Sequence, residues 1–371
     1  MELLRQSRSG LLSPESRKVR TVKNSASGWS LHEGDVRDVY DLWPTPRLII
    51  SDGAYGVGGF PGDPRTPAEL ADWYQPHIKA WSENAHPSTT LWFWNTEVGW
   101  ATIHPLLVAS GWKYEFTNTW NKGVGHIAGN VNGKTIRRFP VVTEVCVVYT
   151  REPRIKSGEN EVHIKKWLLS EWKRTGMPTK KANEACGVKD AATRKYFDQG
   201  WLWYSPPAHV MEMLVTFANE HGDPEGRPYY SLDGKHPVTG KEWEELRPVW
   251  NHEHGVTNVW DEPGVRGAER YKGSMNRSAP RVYKPTQLSS SHLNQKPLKL
   301  MRRIVSSCTN EGDIVWEPFG GTCTGTVAAI ELGRVAYAAE MHGDFAELSR
   351  ERLSDTEEQI KAFDIGEATN S

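Results

Sequence analysis

Two apolar runs near opposite ends of the chain each stop abruptly in small, turn-forming residues, and this pairing constrains the fold more than any bulk property. Leu48, Ile49 and Ile50 lead into Ser51-Asp52-Gly53-Ala54-Tyr55-Gly56. Residues 313–316 lead into Glu317-Pro318-Phe319-Gly320-Gly321-Thr322-Cys323-Thr324-Gly325. An apolar strand that ends in such residues lets the backbone come close to a ligand, as it does at the carboxyl ends of strands in an open α/β sheet.

The rest of the pattern agrees. Residues 1–28 are polar and Ser/Arg-rich and read as a loose arm. Between residues 29 and 151, β-rich runs at 47–51, 89–94, 115–120 and 141–149 alternate with helical ones at 67–81 and 100–110, the βαβ rhythm of a parallel sheet closed by a hairpin. After residue 152 the character changes. Residues 165–174 form an amphipathic helix with Leu168, Leu169 and Trp172 on its apolar side. A break at Gly176-Met177-Pro178 precedes helices expected at 179–186 and 188–197 about a turn at Gly187, a helix-turn-helix pattern. Residues 222–274 read as loops. From residue 286 the α/β pattern returns, with helices at 297–307, 324–332 and 344–352, strands at 313–316 and 335–340, and an acidic tail.

Composition sets limits. With 45 Lys+Arg against 46 Asp+Glu, a nucleic-acid partner would have to be met by locally concentrated positive charge. Such a concentration exists: residues 173–195 hold seven basic side chains and two acidic ones. The four cysteines, Cys146, Cys186, Cys308 and Cys323, form no Cys-x-x-Cys pair, so neither a metal site nor a disulfide framework is expected. No apolar stretch is long enough for a bilayer and no signal-peptide core follows Met1, so a soluble, cytoplasmic protein is expected. The 17 tryptophans read first as core.

Taken in order, the motifs resemble those of the DNA amino-methyltransferases in which the catalytic motif precedes the cofactor motif. Asp52-Gly53-Ala54-Tyr55 is similar to the Asp/Asn/Ser-Pro-Pro-Tyr segment of that family. Glu317, Pro318, Phe319, Gly321 and Cys323 match its acidic-Pro-Phe-x-Gly-x-Gly segment, with Cys323 in place of the last glycine. His292-Leu293-Asn294-Gln295-Lys296-Pro297-Leu298 is similar to the segment that opens the cofactor half, and Trp120-Asn121-Lys122-Gly123 and Glu144 also fit. No cysteine follows a proline, so the Pro-Cys nucleophile of C5-cytosine methylation is missing. The resemblance implies a Rossmann-like methyltransferase sheet with an inserted, largely helical target-recognition region. The catalytic half would span 29–151, the inserted region 152–285 and the S-adenosylmethionine half 286–371.

It also implies roles. An exocyclic amine is a poor nucleophile because its lone pair is delocalised into the ring. Asp52 and the carbonyl of Gly53, each accepting one N–H, would localise that pair, and Tyr55 would stack on the flipped base. Asp-Gly is also an ordinary strand-ending turn. S-adenosylmethionine would be met by Lys296, Pro297, Glu317, Phe319, Gly320 and Gly321, by Glu340 at the ribose and by Asp35 near the adenine, although Asp35 equally suits a helix cap. Duplex DNA would be met by Lys122 and by Lys189, Thr193 and Arg194 on one face of the 188–197 helix, unless that helix is a structural prop with solvated charges. Asn95 is a weaker candidate for the pocket wall. Adenine N6 is the favoured target. Cytosine N4 methylation and a catalytically weak DNA-binding protein are the alternatives, and a cognate restriction enzyme and the oligomeric state stay open.

Overall fold

The computed structural model describes residues 20–23, 28–60, 62–126, 137, 139–157, 160–190, 192–223, 226–251, 253–271 and 294–368. Its first half runs β1 (Arg20–Lys23), β2 (Trp29–Glu33), β3 (Leu48–Ser51), α1 (Leu70–Asn84), β4 (Thr90–Asn95), α2 (Glu97–Ala109), β5 (Trp112–Asn121) and β6 (Thr143–Arg151). The inserted region holds β7 (Arg154–Ser157), β8 (Asn160–His163), α3 (Ile164–Arg174), α4 (Lys181–Ala185), α5 (Arg194–Phe197), α6 (Ala208–His221), α7 (Gly240–Glu245) and β9 (Val259–Asp261). The last part contributes α8 (Leu298–Cys308), β10 (Ile314–Glu317), α9 (Thr324–Glu331), β11 (Val335–Glu340) and α10 (Gly343–Ala368).

Nine strands form one sheet in the order β1-β2-β11-β10-β3-β4-β6-β5-β9. Strands β2, β11, β10, β3 and β4 are mutually parallel, and β6 runs antiparallel between β4 and β5. Alternate residues of the central strands bury opposite faces. Ile50, Trp92, Trp94 and Val315 pack under α8 and α9, whereas Ile49, Leu91, Phe93 and Trp316 pack under α1 and α2. A sheet covered on both faces needs such continuously apolar strands. Of the 17 tryptophans, 12 are buried, in keeping with the expectation of core. β3 connects through α1 to β4 on one side and β10 through α9 to β11 on the other. The seam between β3 and β10 is therefore the topological switch point, where open α/β sheets bind ligands.

The expected strands and most helices lie within a few residues of their sequence positions. Several expectations need correction. Residues 20–23, expected in a loose arm, pair antiparallel with β2, itself an unforeseen strand. β9 lies within the expected loops and pairs with β5, because Trp260 is buried against Trp92 and Trp94. The acidic tail continues α10, with Leu353 and Thr356 buried and Glu357 accepting a bond from the Trp29 indole.

The helix expected at 188–197 is replaced by a loop and the single turn α5. Asp190 is left-handed, at φ 58°. The Asn183 side chain donates to the Asp190 carbonyl and accepts from both the amide and hydroxyl of Thr193, holding the segment in a looped path that competes with a helix. The inserted helices share their own core around Trp167, Trp172, Tyr230 and Trp243. They hang from the end of β6, at Arg151, so they meet the sheet at the edge opposite the switch-point loops.

Candidate active site

The carboxyl ends of β2, β11, β10 and β3 open together on a cavity of about 410 Å³. Asp35, Asp52, Gly53, Tyr55, Lys296, Glu317, Phe319, Gly320, Gly321 and Glu340 all line it, so motifs from both ends of the chain meet there.

Asp52 follows β3 directly. Its loop lacks stiffening prolines and is held by side chains instead. The Tyr74 hydroxyl and the Asn95 amide both donate to the Ala54 carbonyl, at 3.0 and 2.8 Å. Asp63 accepts from the backbone amides of Tyr55, Gly56, Val57 and Gly59 at 2.8 to 3.2 Å. Asn95 thus braces the loop rather than forming the pocket wall. Gly53 is fixed by its neighbours, since a Cβ there would stand 2.7 Å from the Phe319 ring and 2.8 Å from the Tyr74 hydroxyl. Among the described residues the Gly53 carbonyl accepts no hydrogen bond.

A charged cluster surrounds Asp52. The Lys296 ammonium lies 2.7 and 2.9 Å from the two Asp52 oxygens, 3.0 Å from the Tyr55 hydroxyl and 3.3 Å from Glu144. Lys122 pairs with the other Glu144 oxygen at 2.6 Å. Burial works against both charges. Even so, Lys296 and Lys122 draw the Glu144 carboxyl down to about 2, and the two carboxylates hold Lys296 above the ordinary lysine range. Burial, then Asp52 and Glu144, push the Tyr55 hydroxyl well up, so it stays protonated.

On the other side of the cavity, Phe319 packs against Trp73 and His77 with ring centroids 5.2 and 5.0 Å away. Glu340 accepts from the amides of Gly321 and His342, both at 2.8 Å. Burial pushes its carboxyl up to about 7. Glu317, the last residue of β10, is engaged by the helix that follows: its oxygens accept from the Gly325 amide and from the amide and hydroxyl of Thr326, at the start of α9. Cys323, ahead of α9, is left-handed at φ 53°, the conformation a glycine would adopt without strain. Asp35 caps a 3-10 turn over Val36–Asp38 and pairs with Arg37, while still lining the cavity, so both of its expected roles remain compatible.

Four placements differ from expectation. Lys296 was expected on the cofactor side, and its ammonium instead bonds Asp52. Pro297 caps the start of α8 and does not line the cavity, because its fixed φ suits a helix entry. Of the expected DNA readers, Thr193 is buried against Asn183, and Lys122 is paired with Glu144. Lys189 and Arg194 are exposed but belong to the inserted region, beyond Arg151, which lies roughly 23 Å along β6 from Glu144 at about 3.3 Å per residue. His292 lies outside the described residues. Sequence reasoning missed the role of Asp63, which reads as turn punctuation between Gly62 and Pro64.

Among the described residues no helix is long and apolar enough to cross a membrane, and no group of three or more His, Cys, Asp or Glu could hold a metal ion. The chain is 31% identical over 105 residues to the DNA adenine methyltransferase YhdJ of Escherichia coli, covering 28% of this chain and 30% of that one. It is 33% identical over 159 residues to the Type II methyltransferase M2.DpnII of Streptococcus pneumoniae, covering 41% and 48%. The matched segments thus span less than half of either relative. Among solved structures, the cytosine-N4-specific PvuII DNA methyltransferase superposes with a TM-score of 0.47 at 11% identity, over 90% of this chain and 93% of that one. A family model described as DNA methylase, of the N6/N4 type, matches residues 47–351, which take in Asp52, Glu144, Lys296, Glu317 and Glu340, and the chain belongs to that family.

Proposed function

We propose that this protein transfers a methyl group from S-adenosylmethionine to the N6 amine of an adenine flipped out of duplex DNA. The observation that carries this reading is the meeting of Asp52 and the Gly53 carbonyl, unengaged among the described residues, with the Phe319 and Glu340 surfaces in one cavity.

The cavity suits the cofactor. Glu340 is a buried carboxylate whose oxygens offer about four acceptor positions, and with the Gly321, His342 and Met341 amides drawn to it, capacity is left for a ribose hydroxyl. Phe319 presents a half-buried ring beside glycine backbone, and Asp35 also lines the cavity. Bound there, S-adenosylmethionine would supply an electrophilic methyl group.

The protein's own groups act on the amine. Asp52 accepts one N–H and the Gly53 carbonyl the other, drawing the nitrogen toward tetrahedral geometry and freeing its lone pair for attack. The Tyr55 ring, held by its hydroxyl to Asp52 and Glu144, serves as the stacking platform for the flipped base. Asp at the first motif position and the similarity to a DNA adenine methyltransferase favour adenine over cytosine.

Digesting DNA methylated by the protein to nucleosides and quantifying both products tests the target. N6-methyladenine is expected, and a pure N4-methylcytosine signal would overturn the choice of base. Asp52→Ala should lower transfer on the order of 100-fold or more while cofactor affinity stays within a few-fold. Near-wild-type turnover in that variant would remove Asp52 from the mechanism. Absence of transfer by wild type that binds both ligands would leave a DNA-binding protein.

A further inference from the structure

Two carboxylates meet at one hydroxyl beside the position of the target amine. Asp52 Oδ1 lies 2.8 Å and Glu144 Oε1 2.5 Å from the Tyr55 oxygen. That hydroxyl has a single proton and can satisfy only one of them at a time. Carboxylates this close do not both stay ionised unaided, because their repulsion drives one of them to take up a proton. A protonated Asp52 would be a much poorer acceptor for an amine N–H.

Lys296 is the group that joins the two. Its ammonium touches both Asp52 oxygens, the Tyr55 hydroxyl and Glu144, and only 4% of its side chain is exposed. Burying an ammonium is costly unless it is paired, and here the pairing is complete. It arrives from the other half of the chain, 244 residues from Asp52. We infer that Lys296 is a positioning residue for methyl transfer, the counter-ion that keeps Asp52 and Glu144 both ionised around the Tyr55 hydroxyl so that Asp52 meets the amine as a full acceptor. This rests on the role given to Asp52 above.

The surroundings leave that task to Lys296. Lys122 faces Glu144 and not Asp52, so it balances the second carboxylate from the outer side. Tyr74 from α1 and Cys146 from β6 face Asp52 as buried groups whose protons burial holds in place. Asp63 is occupied by four backbone amides. His126, in the turn after β5, sits near Lys122 and Glu144, where burial and then Lys122 disfavour its charge. Among these groups only Lys296 brings a positive charge onto Asp52.

Carboxyl carbons of protein labelled with 13C-Asp and 13C-Glu, followed by NMR from pH 4 to 9 without DNA or cofactor, read the protonation directly. With the two signals assigned by Asp52→Asn and Glu144→Gln, wild type should show Glu144 ionised throughout. In Lys296→Met one of the pair should titrate about 1 to 3 units above the ordinary carboxylate range. Adding Glu144→Gln should bring that midpoint back down, and Lys296→Arg should keep both groups ionised. The acid limb of the kcat profile of Lys296→Met should move up with the midpoint while cofactor affinity holds. Wild-type titration in Lys296→Met would overturn the inference, as would a loss of cofactor binding with no shift in the carboxyls. Should Lys296→Met not fold, Glu144→Gln alone decides: Asp52 must then resist protonation at least as well as in wild type, and a raised midpoint overturns the inference. Failure of wild type to methylate DNA would sink the proposed function and leave the titration result standing.

Discussion

A buried carboxylate that must be ionised to hold a ligand makes binding depend on pH, and the proposed ribose role makes Glu340 such a group. Burial pushes it up to about 7, against the pull of the Gly321 and His342 amides. Its ionised form is the stronger acceptor for hydroxyl donors, so cofactor affinity should be greatest above pH 7 and fall as the pH drops through that value. With one proton involved, affinity should be roughly tenfold weaker at pH 6 than at pH 8. Titration calorimetry across this range checks it, and Glu340→Gln should be weaker at high pH and flat. A flat wild-type profile would release Glu340 from the ribose role. Two other residues look like defects when read as sequence alone. Gly53 stands where the resemblance leads one to expect a proline, yet the Phe319 ring and Tyr74 hydroxyl leave no space for any side chain. Cys323 carries the left-handed turn ahead of α9 despite its side chain, at a cost of about 1 to 2 kcal/mol.

At the scale of elements, the loop after β3 depends on a residue that belongs to no motif. Asp63 gathers four backbone amides from the loop, and a carboxylate with that many donors fixes backbone that prolines would otherwise stiffen. Asp63→Ala should let Tyr55 and Gly53 drift and lower kcat by up to about 100-fold, with cofactor affinity little changed. Steady-state kinetics beside calorimetry would show the split, and unchanged kcat would make the clamp dispensable. The strands β3 to β6, β10 and β11 and the small residues that end β3 and β10 were legible because local pattern governs both. Asp63 was not, since an Asp between Gly62 and Pro64 looks like any turn. The partnership of Lys296 with Asp52 was equally hidden, because nothing local links positions so far apart in the chain. The 188–197 segment misled for the opposite reason: its local pattern favours a helix, and the Asn183 side chain overrides it.

Across the whole molecule, core packing divides the described residues into two bodies. The sheet has cores on both faces, and the inserted helices close around a separate core of Trp167, Trp172, Tyr230 and Trp243. Where they meet, a second cavity of about 470 Å³ is lined by Phe116, Trp203 and Trp250 among others. Scanning calorimetry should therefore resolve two transitions. Saturating cofactor at 100 times its Kd should stabilise only the sheet body, by about 2.7 kcal/mol. One transition shifting as a unit would show that the two bodies melt together. The α/β class could be read from the sequence, but the placement of the inserted helices could not. That placement follows from which end of β6 the chain leaves.

The seam between β3 and β10 has a consequence for engineering. Each half of the sheet brings its own strand to the seam, and β3 and β10 meet through hydrogen bonds rather than through a direct connection. The site depends on that adjacency and not on which half the ribosome makes first. A circular permutant opened between residues 271 and 294 and closed by a flexible linker from α10 to β2, elements that already touch through Glu357 and Trp29, would present Asp52, Lys296, Glu317 and Glu340 to the same cavity with the order of its two motifs reversed.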